Sequence, residues 1–368
     1  MKKILFISNV TNKITNFSIP SIYAAQRLGY EFHLAANLSN FKNESPEYSI
    51  KTHHLDIERN PFDKNNVKAY KQLLTLLRNE NFDVIHCNTP VGGLLGRICG
   101  TKVGVSKIIY TAHGFHFFKG ARFVNRTIFK IAEMIMARHT DVIITMNDED
   151  YLAAKKFKLK NDGKVYFIPG VGVDTSKFNN VDSSNLKEKL DLARNDIILI
   201  AMGDLIDRKN YETSIRAIAK TENEQIHFLI CGTGPNLENL KKLARNLNIE
   251  SQIHFLGFRT DIKELLSISD IFLFTTLQEG LPRAMMEAMS AGLPCIASRI
   301  RGNTDLIKEG EGGYLLEPKD SVGFSKAINH LVSNKEIKQT MKKVNLENIK
   351  RYDIESVKHE MLRIYKRI

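Results

Sequence analysis

Around position 280 the chain reads Thr275-Thr-Leu-Gln-Glu279-Gly280-Leu281-Pro282-Arg-Ala-Met-Met-Glu287-Ala-Met-Ser-Ala-Gly292-Leu-Pro294. An apolar run ends at Thr275, Gly280 and Pro282 make a turn, and helix formers follow from Arg283 to Ala291. Glu279 is therefore expected on a loop at the carboxyl end of a strand, and Glu287 about one turn inside the next helix. A helix start offers unpaired N–H groups to a phosphate, and carboxylates accept hydrogen bonds from sugar hydroxyls. Together they suit a sugar joined to a diphosphate. A carboxylate that only favours a helix N-terminus, followed by a solvated helix residue, would share this spacing.

Two further strand-end turns carry candidates. Gly203-Asp204-Leu-Ile-Asp-Arg208-Lys209-Asn210 follows the apolar run 197–202, and two cations opening a helix there could neutralise a departing diphosphate. A surface charge pair is the simpler alternative. Cys231-Gly232-Thr-Gly234-Pro235-Asn236 begins like a dinucleotide fingerprint, but Leu237 stands where the third glycine belongs. It reads instead as a close-approach turn at Gly234, or as an ordinary strand-to-helix turn. In the first half, Thr111-Ala-His113-Gly114 puts an imidazole at a strand end.

These turns need a scaffold of strands that all point one way. Apolar, β-branched runs at 3–8, 30–35, 83–87, 107–111, 142–145 and 164–168 alternate with longer amphipathic stretches. A second series follows at 197–202, 226–231, 252–256, 271–275 and 294–297. This is the punctuation of parallel sheets, and the sequence shows no internal repeat. Length agrees: 368 residues at roughly 150 per domain imply two domains. The reading is α/β, two doubly wound, Rossmann-like halves facing across a cleft: 1–175, then 176–350, with a helix at 351–368.

With 43% hydrophobic and 26% charged residues the chain is neither disordered nor low in complexity. The apolar run at 4–7 is too short for a signal peptide or membrane span. Cysteines 87, 99, 231 and 295 are scattered without metal-ligand spacing, so neither a disulfide framework nor a zinc site is expected. The net charge of +12 calls for an anionic partner. No nucleic-acid motif accompanies it, so nucleic acid is not expected. From Lys119 through Arg122, Arg126 and Lys130, cations recur at three- and four-residue spacing among Phe123, Ile128 and Phe129. That pattern fits a basic amphipathic helix on an anionic membrane, or a solvated basic face above an apolar inner face.

The ordered series Asp83-Val-Ile-His-Cys-Asn-Thr89-Pro90, Thr111-Ala-His113-Gly114, Ile168-Pro169-Gly170-Val-Gly172-Val-Asp174, Gly203 through Lys209, Gly232-Thr-Gly234-Pro235, Phe255-Leu-Gly257-Phe258-Arg259-Thr-Asp261 and Glu279 through Glu287 resembles glycosyltransferase family 4. These are the retaining GT-B enzymes, and the likeness is greatest to bacterial members that build capsular or exopolysaccharides. It spans nearly the whole chain.

The resemblance implies roles by position. Glu279 would contact donor-sugar hydroxyls, the backbone from Gly280 through Leu281 and Pro282 to Met286 would lie near the phosphates, and Glu287 would hold the ribose. Lys209, with Arg208, would meet the diphosphate, and His113 would sit near the transferred sugar. Phe258 and Arg259 would fall in the loop that reads the base. Two positions depart from the family. Asp204 stands where many members have arginine, so the second cation must be Arg208 or a later arginine such as Arg299. The loop 8–20 lacks a common Gly-Gly.

The implied activity is transfer of a sugar from a nucleoside diphosphate sugar, a UDP sugar, to a polyprenyl-diphosphate-linked saccharide. No metal or other cofactor is expected. The enzyme would work in the cytoplasm, peripherally attached to the inner face of the membrane, and the C-terminal helix would cross back to the first domain. The alternatives are a UDP-sugar 2-epimerase of the same fold and a non-catalytic binding protein.

Overall fold

The computed structural model describes residues 1–42, 44, 45, 47–120, 123–179, 181–183 and 185–368. The chain divides into two compact units, Met1–Gly172 with Ile354–Ile368, and Val173–Asp353.

The first unit holds β1 (Lys3–Val10), β2 (Glu31–Asn37), β3 (Lys51–His54), β4 (Val84–Asn88), β5 (Lys107–Ala112), β6 (Val142–Thr145) and β7 (Lys164–Phe167). They form one sheet in the order β3-β2-β1-β4-β5-β6-β7, and every pairing is parallel. The second unit holds β8 (Ile197–Met202), β9 (Ile226–Cys231), β10 (Ile253–Gly257), β11 (Ile271–Phe274), β12 (Cys295–Ser298) and β13 (Gly313–Leu316), in the order β10-β9-β8-β11-β12-β13. These pairs are parallel too.

Central strands are buried along nearly their whole length, as in Val84-Ile-His-Cys-Asn88 and Ile271-Phe-Leu-Phe274. That follows from helices covering both faces of a parallel sheet, which leaves no solvated face to alternate with. Each unit winds outward from one pair, β1 and β4 in the first and β8 and β11 in the second. At such a reversal of strand order, the loops leaving the two central strands diverge to opposite faces and open a crevice at their carboxyl ends.

The helix Ile354–Tyr365 belongs to the first unit and packs on the helix Ile19–Arg27. Its Tyr365 hydroxyl lies 2.6 Å from His86 Nδ1 inside the core, and His86 Nε2 lies 2.7 Å from Thr111 Oγ1. Burial holds His86 at a pKa of about 3, so the ring is neutral. Among the described residues no helix is long and apolar enough to cross a membrane.

The helix Phe123–Ala137 differs from a solvated basic face above an apolar inner one. Its Phe123, Val124, Ile128, Ile131, Met134 and Ile135 are exposed. It is tied to the core instead by Glu133, whose carboxylate accepts from buried Arg97 at 2.8 Å. Arg97 in turn lies 4.0 Å from the centre of the Tyr110 ring. Of the stripe's cations, Arg122 lies outside the described residues.

Candidate functional site

In the second unit the loops leaving β8 and β11 are joined by backbone and side chain. Leu277 N donates to Arg208 O at 2.8 Å, and Asn210 Nδ2 donates to Thr275 O at 2.9 Å. Asn210 adopts a left-handed conformation, φ 52°, which turns the chain into the helix Tyr211–Ala219. Arg208 and Lys209 therefore do not open that helix, as the spacing suggested. They form a short 3₁₀ turn before it, Asp207–Lys209, and point toward the β11 loop.

There they meet Glu279. Its Oε1 accepts from Lys209 Nζ at 2.8 Å, from Arg208 Nη1 at 3.0 Å and from Thr276 Oγ1 at 2.9 Å. Arg208 Nη1 also donates to Gln278 O at 2.7 Å. Glu279 and Lys209 side chains are each only 12% exposed, so the pair is largely desolvated and its charge–charge attraction is stronger than on an open surface. Lys209 Nζ also stands 4.9 Å from the centre of the Phe274 ring. One carboxylate oxygen thus gathers three donors at the reversal of the strand order.

The Gly280–Pro282 turn leads into the helix Arg283–Ser290, whose first N–H groups lack partners within the helix. Gly302 supports the turn: at φ +84°, a Cβ there would stand 2.5 Å from Gly280 O. Glu287 Oε1 accepts from Arg283 Nε at 2.9 Å, one turn back on the same helix. Leu281 lies within the turn, partly exposed.

Gly234 is required by loop packing, since a Cβ at that position would lie 2.5 Å from Leu205 O. Leu205 N donates to Thr233 O, and Gly232 N to Gly257 O, which ties together the loops after β8, β9 and β10. In the last of these, Phe258 is 80% exposed. Arg259 is held by a two-pronged contact to Asp261, Nε–Oδ1 2.8 Å and Nη2–Oδ2 2.5 Å. That hydrogen bonding keeps the Asp261 carboxyl below its ordinary pKa and raises Arg259.

Of the two arginines the sequence offered in place of Asp204, only Arg208 reaches Glu279. Arg299 turns away to Glu309 Oε2 and Leu315 O, both at 2.7 Å. Sequence reasoning passed over Arg301, which is 8% exposed and donates from Nε to Glu279 O at 3.1 Å. Its signal was a buried strand ending at Ser298, then Arg299-Ile-Arg301-Gly302, the same strand-end turn chemistry that singled out Lys209.

In the first unit His113 follows β5 and is hydrogen-bonded through Nε2 to Asn88 Oδ1 at the end of β4. Burial pushes its pKa down to about 4. Beside it at the strand reversal, Asn9 Oδ1 accepts from Thr89 Oγ1 at 2.6 Å and from Gly92 N at 2.9 Å. All four cysteines are free and buried. Among the described residues no group of three or more His, Cys, Asp or Glu is arranged to hold a metal ion.

Comparison with known proteins places this architecture. Residues 182–347 match the family described as Glycosyl transferases group 1, and residues 3–148 match the family described as Glycosyl transferase 4-like. EpsD of Bacillus subtilis is 32% identical over 371 residues, 99% of this chain and 96% of that protein. The UDP-Gal:alpha-D-GlcNAc-diphosphoundecaprenol alpha-1,3-galactosyltransferase of Escherichia coli is 34% identical over 278 residues, 73% of this chain and 71% of that one. Among solved structures, HepE of Anabaena in complex with UDP superposes with a TM-score of 0.80 at 18% identity, covering 100% of both chains. The sucrose-phosphate synthase of Thermosynechococcus elongatus gives 0.84 at 18% identity, covering 100% of this chain and 99% of that one. Two parallel-sheet α/β units, both family matches and the full-length relative give one answer: the chain is a glycosyltransferase of the GT-B type, belonging to the group 1 and 4-like glycosyl transferases.

Proposed function

We propose that this enzyme moves a sugar from a UDP sugar to a polyprenyl-diphosphate-linked saccharide, with retention of configuration, in the synthesis of a capsule or exopolysaccharide. The observation that carries this reading is the gathering of Lys209, Arg208 and Thr276 on one oxygen of Glu279, next to the start of the helix Arg283–Ser290. Cations beside a helix N-terminus suit a diphosphate, and a largely buried carboxylate that can also accept from hydroxyls suits the sugar attached to it. The donor and acceptor classes are supported by the Escherichia coli relative, whose name specifies a UDP sugar and a diphosphoundecaprenol-linked acceptor.

In this reading the Lys209 ammonium and the Arg208 guanidinium offset the charge that grows on the departing UDP, in place of a resident metal. The Gly280–Pro282 backbone and the first turn of the helix hold the phosphates, and Glu287 holds the ribose. Gly234 lets the β9 loop close on the nucleotide, and Phe258 and Arg259 border the base. His113 meets the transferred sugar. Rate enhancement then comes from positioning and from stabilising the leaving group, without a covalent carboxylate intermediate.

The exposed apolar residues of the helix Phe123–Ala137, with Lys119, Arg126 and Lys130 nearby, support attachment to the anionic inner face of the membrane, where a polyprenyl acceptor resides. The test is a screen of UDP sugars with extracted lipid-linked saccharides, followed by analysis of the product's anomeric configuration. An inverted product, or sugar release with no dependence on a lipid-linked acceptor, would overturn the proposal.

A further inference from the structure

β4 and β5 pair with Asn88 opposite Thr111, so the residue that closes β4 is brought beside the loop that carries His113. Asn88 is 3% exposed. Its Nδ2 donates to the Phe17 carbonyl at 3.5 Å, which turns Oδ1 to the opposite side, toward His113 Nε2. An amide oxygen only accepts, so Nε2 must carry the proton. The ring is neutral at pH 7, because burial holds its pKa at about 4. His86, the neighbouring histidine on β4, is neutral for the same reason. A neutral imidazole has one N–H, so Nδ1 is a bare lone pair.

That lone pair is the unusual feature. Nδ1 is buried and has no hydrogen-bond partner among the described residues. Leaving a buried acceptor unmatched opposes folding. The Phe17 ring packs edge-on against the imidazole, 5.0 Å between centres at 65°, and restrains it from a second side. The ring is thus fixed in place and in tautomer while one acceptor is kept unused.

We infer that Asn88 is a positioning residue: by accepting from Nε2 it holds His113 in the one tautomer whose Nδ1 accepts a hydrogen bond from a hydroxyl of the transferred sugar. The hydroxyl contact rests on the proposed function, whereas the tautomer does not.

The test uses the full chain labelled with ¹⁵N-histidine. Long-range ¹H–¹⁵N correlation spectra report which ring nitrogen is protonated, and the His113 signals are assigned by their loss in His113→Gln. The expected wild-type pattern at pH 7 is a protonated Nε2 and an unprotonated Nδ1. Asn88→Leu should lose that fixed pattern and lower kcat/KM for the donor roughly tenfold, the size of one lost hydrogen bond. Asn88→Asp, which keeps an acceptor at the same atom, should restore the Nε2–H tautomer and raise the pKa of His113. A protonated Nδ1 in the wild type, or an unchanged pattern in Asn88→Leu, overturns the positioning role. A lost pattern with unchanged kcat/KM leaves the positioning intact and overturns the hydroxyl contact, and with it the reading of His113 as a site residue.

Discussion

Lys209 Nζ stands 2.8 Å from Glu279 Oε1 with both side chains largely buried, although 70 residues separate them in sequence. Two loops from adjacent strands at the reversal of the sheet bring them together, so the pair reports directly on how that crevice is built.

Replacing either partner should disable transfer and spare the fold. In Lys209→Ala, Glu279 still accepts from Arg208 and Thr276; in Glu279→Ala, Leu277 N and Asn210 Nδ2 still tie the loops together. We expect turnover to fall about 100-fold or more, as when a charge-stabilising contact is removed, with the fold retained by circular dichroism. Glu279→Ala should nonetheless lower the melting temperature, by leaving the largely buried Lys209 ammonium without its closest partner. Near-normal turnover by a variant would remove that residue from the site.

Glu287→Gln should act on binding. A ribose contact is made equally in the ground and transition states, so its loss raises KM for the donor and leaves kcat nearly unchanged. A fall in kcat at constant KM would exclude the ribose role.

Gly302→Ala tests the support beneath the phosphate turn. The left-handed conformation at φ +84° and a Cβ 2.5 Å from Gly280 O cannot both persist. The left-handed backbone alone costs a non-glycine residue about 1–2 kcal/mol. A lower melting temperature together with a raised donor KM is expected, whereas Gly310→Ala, at φ +77° with nothing near the added Cβ, should lower stability without moving KM. Equal donor KM values for the two variants would separate the turn from donor binding.

Acid should weaken the first unit through His86. Its folded pKa of about 3 lies below the ordinary 6.5, so the unfolded chain binds the extra proton. Stability from this group is therefore complete above about pH 6.5 and is lost as pH falls toward 3. Melting temperatures measured between pH 7 and pH 4.5 should fall, and His86→Asn, though less stable throughout, should show a shallower slope. Parallel slopes would mean that other groups carry the acid sensitivity.

Changing Lys119, Arg122, Arg126 and Lys130 to glutamine should reduce binding to anionic liposomes and slow transfer to a polyprenyl acceptor, while a short soluble acceptor is used normally. Each cation near such a surface contributes about 1 kcal/mol. Added salt should weaken wild-type binding as well. Equal liposome binding by both proteins at low salt would leave the stripe with no role at a membrane.

The sequence was most legible where burial is complete. The runs 142–145, 197–202 and 226–231 coincide with β6, β8 and β9, because a strand covered on both faces must be apolar throughout. Two edge strands escaped notice for the opposite reason. β3 is Lys51-Thr-His-His54, exposed or half-buried along its length and without an apolar side chain, and β13 opens on Gly313, where an added Cβ would strike Cys295 O, so that this strand begins without a side chain. In the candidate site, Lys209, Arg208 and Glu279 were legible one loop at a time, as strand-end chemistry. Their convergence on one oxygen was not, because it depends on which strands are neighbours. Arg301 sits on a strand-end turn of the same kind, but the turn alone does not show which loop its guanidinium meets, and its bond to Glu279 O again depends on the fold.

The chain passes from the first unit to the second after Gly172 and returns after Asp353, and the two passages lie side by side, with Val173 N donating to Tyr352 O at 3.0 Å. The helix Ile354–Tyr365, which supplies Tyr365 to buried His86 and covers the helix Ile19–Arg27, is thus made only after the whole second unit. On the ribosome the usual order, in which the amino-terminal domain finishes first, is reversed: the second unit can close while the first still waits for its last helix. Newly made chains should therefore spend that interval with the bed around Ser21, Ile22 and His86 uncovered, its apolar surface open to water until the last residues are added.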